Sequence, residues 1–139
     1  MMRNASIGFL LTVALAFSGM LYAQEEETHV FTVVTWELLS PEDGSDAEFD
    51  SLSAFWTENA VKKNEFIVNQ ILMSHMWGSN SSDFVVITEY KTFADIEKGQ
   101  NLNFELIKEA IPDKEERDKY YKEFFKYLGN HSDEIFQGR

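Results

Sequence analysis

Apolar and β-branched residues run almost unbroken from His29 to Leu39 (HVFTVVTWELL). Alternate positions group Val30, Thr32, Val34, Trp36 and Leu38 on one face and His29, Phe31, Val33, Thr35 and Glu37 on the other. Both sets are largely apolar, which predicts a strand covered on both sides. Ser40-Pro41-Glu42-Asp43-Gly44 breaks the run, and the pattern then changes period. Phe49, Leu52, Phe55, Trp56 and Ala60 recur at helical spacing, so one side of a helix should face the sheet. Ser45 and Glu48 have the spacing of a capping box, in which each side chain satisfies an orphan amide of the first turn. This helix is expected to fade near Asn64.

A second strand is predicted over Phe66 to Trp77. Ile67, Asn69, Ile71, Met73, His75 and Trp77 share one face, and Val68, Gln70, Leu72, Ser74 and Met76 the other. The polar run Gly78-Ser79-Asn80-Ser81-Ser82-Asp83 offers left-handed backbone positions and local hydrogen bonds, so a hairpin leads into a third strand, Phe84 to Tyr90. Thr92 and Asp95 form a second cap-like pair ahead of a helix with Phe93 and Ile96 on its apolar side. Helical character continues over Asn101 to Ala110 until Pro112 interrupts it. A last helix is predicted from Asp113 through Leu128, with Tyr120, Tyr121, Phe124, Phe125 and Leu128 as its stripe and Gly129 as its C-cap. Glu115 with Lys119 and Asp118 with Lys122 are spaced for ion pairs on it. The tail from Asn130 to Gln137 reads as one helical turn capped by Ser132, or as a short strand.

In order and in residues, GSNSSDFVVITEYKTFADIE resembles the hairpin-plus-helix half of the dimeric α/β-barrel superfamily, the antibiotic-biosynthesis-monooxygenase-like proteins among them. The resemblance spans His29 to about Lys98. It implies an α+β, ferredoxin-like β-α-β-β-α protomer with extended C-terminal helices, whose sheet pairs with a second copy into a barrel. It also implies a cavity between sheet and helices. Such protomers end in a fourth strand, for which only Glu134 to Gln137 is available here.

The ends and the charge place the domain. Arg3 precedes an apolar run from Ile7 to Tyr22, with the small residue Ala23 at its end. That layout predicts a secretory signal peptide over residues 1–23, a flexible leader over 24–28 and a single α+β domain over 29–139. The expected destination is periplasmic or extracellular, with no membrane anchor after cleavage. The chain has no cysteine, so the exported domain is stabilised by packing and not by disulfides. Its 14% aromatic content, with twelve Phe and three Trp, supplies bulky side chains for a core. Twenty-four Asp and Glu oppose twelve Lys and Arg, without a basic stripe, which argues against a nucleic-acid partner.

Candidate chemistry is sparse. His29, His75 and His131 are far apart and lack metal-ligand spacing. Asp43-Gly44-Ser45-Asp46 lacks the ligand ladder of a calcium loop. No nucleophile elbow or phosphate-binding glycine loop occurs, and no cofactor is expected. Asn80-Ser81-Ser82 and Asn130-His131-Ser132 match the glycosylation sequon. The remaining constellation is aromatic and amide-bearing. Trp36, Trp56, Asn69, Trp77 and His131 are the candidate lining of a pocket for a small organic ligand, with His131 closing over its mouth. His75 is the candidate proton acceptor, since imidazole changes charge near neutral pH. Some relatives implied by the resemblance hold an aromatic substrate or haem with such side chains. Three functions fit: a ligand-binding homodimer, a cofactor-independent monooxygenase-like enzyme, and an interaction module whose pocket is filled by Phe and Tyr.

Overall fold

The computed structural model describes residues 28–79 and 81–139. The expected signal peptide, residues 24–27 of the leader and Asn80 of the first sequon lie outside the described residues. Four antiparallel strands form one sheet: β1 (Val30–Leu38), β2 (Ile67–Ser74), β3 (Asp83–Tyr90) and β4 (Leu128–Gln137), in spatial order β2-β3-β1-β4. Helices α1 (Asp46–Asn59), α2 (Ala94–Ala110) and α3 (Lys114–Phe125) complete the domain.

The pairing register explains which residues meet the helices. Val30 lies opposite Tyr90, Thr32 opposite Thr88, Val34 opposite Val86 and Trp36 opposite Phe84. Side chains alternate across a strand, so these pairs share one face, and the helices cover it. Phe49 of α1 meets Phe84 edge-on at 5.3 Å and Phe124 of α3 at 6.1 Å. At the other end Val30, Tyr90 and Ile96 of α2 form a second cluster, with Ile67 against it. The opposite face carries Phe31, Val33, Val85, Ile87, Ile71 and Met73, and no described helix covers it. The two-sided cover expected for β1 is therefore supplied on one side only within the protomer.

Ser45 caps α1, its hydroxyl accepting from the Glu48 amide at 3.2 Å. The reciprocal half of the expected capping box is not made. The Ser45 amide donates instead to the Tyr127 hydroxyl at 2.8 Å, and the Tyr127 hydroxyl binds the Glu48 carboxylate. A residue 82 positions away thus replaces the local cap and ties the start of α1 to the end of α3. α1 ends at Asn59 and a 3₁₀ turn, Val61–Lys63, follows. Asp113 caps α3, accepting from the Glu116 amide at 2.9 Å. Asp118 pairs with Lys114 rather than with Lys122.

The C-terminus corrects the sequence reading. α3 stops at Phe125, and a ten-residue strand begins at Leu128. Leu38 pairs with Leu128 while Trp36 pairs with His131, so β4 carries one extra residue there, a bulge. Gly129 sits at that bulge as a strand residue, not as a helix cap. A Cβ on it would come within 3.1 Å of Glu37 Oε2 and Leu39 Cδ2. Ser132 lies in the strand opposite Thr35 and caps no helix.

Candidate functional site

A cavity of about 300 Å³ opens between the helix-facing side of the sheet and the three helices. Val34 and Trp36 of β1, Gln70 and Leu72 of β2, and Phe84 and Val86 of β3 form its floor. Trp56 of α1, Asn103 and Phe104 of α2, and Phe124 and Phe125 of α3 form the opposite wall. The aromatic walls brace one another. Trp56 meets Phe104 edge-on at 5.6 Å and Phe124 at 5.9 Å, and Phe104 meets Tyr121 at 6.2 Å. Such ring pairs fix side-chain geometry beyond what area burial alone provides.

Of the six residues singled out from sequence, Trp36 and Trp56 line this cavity. His131 lies beside Trp36 on the neighbouring strand, with ring centroids 4.1 Å apart, and its Nδ1 is 2.8 Å from Asp133 Oδ2. It is a strand residue bracing the wall rather than a segment across the mouth. Asn69, His75 and Trp77 do not line the cavity. The pairing of β2 shifts between Ile67 and Asn69. This bulge puts Ile67 with Gln70 and Leu72 on the helix side and turns Asn69, Ile71 and Met73 outward. Asn69 lies opposite Glu89, whose carboxylate is 2.5 Å from His29 Nδ1. His75 follows β2 and its ring lies over Gly78, where a Cβ would sit 3.0 Å from Nε2. Gly78 has φ +141°, the left-handed backbone expected of this turn. Trp77 is 93% exposed at the tip of the hairpin.

Sequence reasoning missed Gln70, Leu72, Asn103 and Phe104. Regular alternation puts the first two on the other face of β2, because the bulge leaves no mark in the apolar pattern. Asn103 and Phe104 lie in a stretch read only for its apolar period.

Charge is scarce in the cavity. Among the described residues Asp133 is the one carboxylate on its lining, and no lysine, arginine or histidine joins it there. Tyr120, beside it, keeps its proton: burial pushes the phenol well above the usual range, and its hydroxyl donates to the Leu52 carbonyl at 3.0 Å. Among the described residues no group of three or more histidine, aspartate or glutamate side chains is placed to hold a metal ion. No described helix is long and apolar enough to cross a membrane.

No family model and no curated protein matches the chain. Solved structures do. SnoaB, a cofactor-independent oxygenase from Streptomyces nogalater, superimposes with a TM-score of 0.52 at 14% identity, over 80% of this chain and 93% of its own. A dimeric ferredoxin-like protein of unknown function from Thermobifida fusca gives 0.52 at 7% identity, over 78% and 90%. The fold is ferredoxin-like. A nipsnap family protein of unknown function from Agrobacterium tumefaciens gives 0.56 at 11% identity, over 81% and 89%. Identities this low carry the ferredoxin-like architecture and no activity. In this ferredoxin-like fold the cavity lies between the sheet and its three helices.

Proposed function

We propose that the chain is an exported homodimer that binds a small apolar or aromatic ligand in the cavity between sheet and helices. The cavity carries the reading: a volume of about 300 Å³, walled by Trp36, Trp56, Phe104, Phe124 and Phe125 with a few amide groups among them. Small-molecule sites have this character, a mostly apolar cleft with few polar groups that orient the ligand. The same volume speaks against the interaction-module alternative, in which Phe and Tyr side chains fill the space.

The dimer rests on the outer face of the sheet. Ile71, Met73 and Phe136 there are 48%, 42% and 50% exposed, and Val33, Val85 and Ile87 join them into one apolar surface. A second copy placed on this face would close the two sheets into a barrel, and dimeric proteins occur among the structures of the same fold. Export rests on the pattern of residues 1–23, and a mature N-terminus at Gln24 is the expected product of cleavage.

Native mass spectrometry of the protein purified from its own host tests the reading. The expected species is a dimer of chains starting at Gln24 that loses a small organic molecule on activation. A monomer, or a dimer that binds no aromatic compound, overturns it.

The resemblance to SnoaB favours one second reading, a cofactor-independent oxygenase. Such chemistry needs orientation, exclusion of water and one proton acceptor. Asp133, on the cavity lining, is the candidate for the acceptor, whereas His75 lies off that lining. Oxygen uptake with phenolic aromatics as substrates tests this reading. Turnover lost in Asp133→Asn and kept in His75→Ala assigns the acceptor, and the absence of uptake in the unaltered protein rejects the enzyme.

A further inference from the structure

One polar group in the cavity wall has its orientation dictated from outside the cavity. Asn64 follows the 3₁₀ turn and is 4% exposed. Its Nδ2 donates to the Gly99 carbonyl at 2.7 Å and to Asn103 Oδ1 at 2.7 Å, while its Oδ1 accepts from the Phe66 amide at 3.0 Å. A flipped Asn64 would set oxygen against the Gly99 carbonyl and nitrogen against the Phe66 amide. Two backbone groups therefore decide which end of Asn64 faces α2. That end is a donor, so Asn103 must offer it oxygen and turn its own nitrogen the other way.

Asn103 lies on α2, is 8% exposed and lines the cavity. Its two N–H groups find no partner among the described residues. No sealed side-chain nitrogen or oxygen among those residues lacks a partner, so this amide is open to the cavity instead of being shut inside the core. Across the cavity Gln70 donates through Nε2 to the Thr88 hydroxyl at 3.0 Å, leaving its oxygen as a side-chain amide acceptor on the sheet side.

We propose that Asn103, positioned by Asn64, is the donor through which the cavity recognises a neutral carbonyl oxygen on an aromatic ligand. This inference rests on the reading of the cavity as a ligand site and adds to it the polarity of that ligand. A carboxylate is excluded on the same grounds. An uncharged amide compensates little of the cost of desolvating an anion, no cationic side chain among the described residues lines the cavity, and Asp133 repels it. A hydrocarbon of equal size leaves the buried donor unpaired, which is the penalised arrangement.

Isothermal titration of the mature protein with three naphthalene probes tests the assignment. 2-Acetylnaphthalene should bind ~3- to 10-fold more tightly than 2-isopropylnaphthalene, the margin expected of one neutral hydrogen bond, and 2-naphthoate more weakly than the ketone. Asn103→Leu should erase the ketone preference while retaining the hydrocarbon. Asn64→Ser should narrow the preference, since it acts only through the orientation of Asn103. The infrared carbonyl stretch of the bound ketone needs no variant: it should lie below its value in an apolar solvent. Equal binding of ketone and hydrocarbon with an unshifted stretch overturns the role of Asn103 and leaves the cavity as a ligand site. Failure of all three probes to bind overturns both.

Discussion

Tyr127 shows how much of one residue's role depends on chain segments remote in sequence. Its hydroxyl holds the Ser45 amide and the Glu48 carboxylate, and Lys126 beside it lies 3.2 Å from Glu48 and 2.6 Å from Glu123. The Tyr127 hydrogen bond, followed by that of Lys126, holds the Glu48 carboxyl below its ordinary value of 4.5. A carboxylate with a depressed folded-state pKa adds stability above its unfolded value and loses it as the pH falls through the folded one. Glu48→Gln should therefore melt below the unaltered protein at pH 7 and together with it near pH 2, as thermal scans across that range would record. A gap that persists in acid would assign the effect to packing instead. Gly44 belongs to the same corner: a Cβ there would lie 2.4 Å from the Tyr127 hydroxyl, which leaves room for glycine alone.

At the scale of elements, α2 is seated on the sheet by a close approach. A Cβ on Gly99 would lie 2.8 Å from Tyr90 Cε1. Tyr90 is 3% exposed and its hydroxyl is hydrogen-bonded by Thr32 and Thr88, so the ring has little room to yield. Replacing a helix glycine with alanine normally gains ~1 kcal/mol of helix propensity. Here overpacking costs about 1–3 kcal/mol, and the strain wins. Gly99→Ala should lower stability in urea titration, and because the Gly99 carbonyl also holds Asn64, it should weaken binding of 2-acetylnaphthalene. β4 illustrates the opposite dependence. Asn130, His131, Ser132, Asp133 and Glu134 have poor strand propensity, and this edge strand exists because β1 offers it a full row of backbone partners.

For the whole molecule, the uncovered sheet face is the determining surface. Ile87 sits at its centre, paired with Val33 on one side and Ile71 on the other. In the proposed dimer Ile87→Lys should leave only monomer in light scattering at micromolar concentration, because a buried unpaired ammonium at such an interface has no compensating partner. Ligand affinity measured on the same variant tells whether the cavity needs the second copy. Retained binding of 2-acetylnaphthalene would place the whole site within one protomer.

The amino-acid sequence by itself determined the local elements. β1, the cap at Ser45, the helix start at Asp113, the hairpin over Gly78 and the break at Pro112 are written in periodicity and turn chemistry, which act between neighbours in the chain. It also marked Trp36 and Trp56, because bulky aromatics on the inner side of a strand and a helix converge wherever the two pack. Only the tertiary structure decided the rest. A one-residue bulge after Ile67 exchanged the faces of β2, so Gln70 and Leu72 entered the cavity and Asn69 left it. Pairing with β1 made a strand of a polar tail and a bulge of Gly129. The orientation of Asn103 is set by a residue 39 positions earlier. Each of these rests on backbone or side-chain hydrogen bonds between distant segments, whose energies no local pattern of apolar residues encodes.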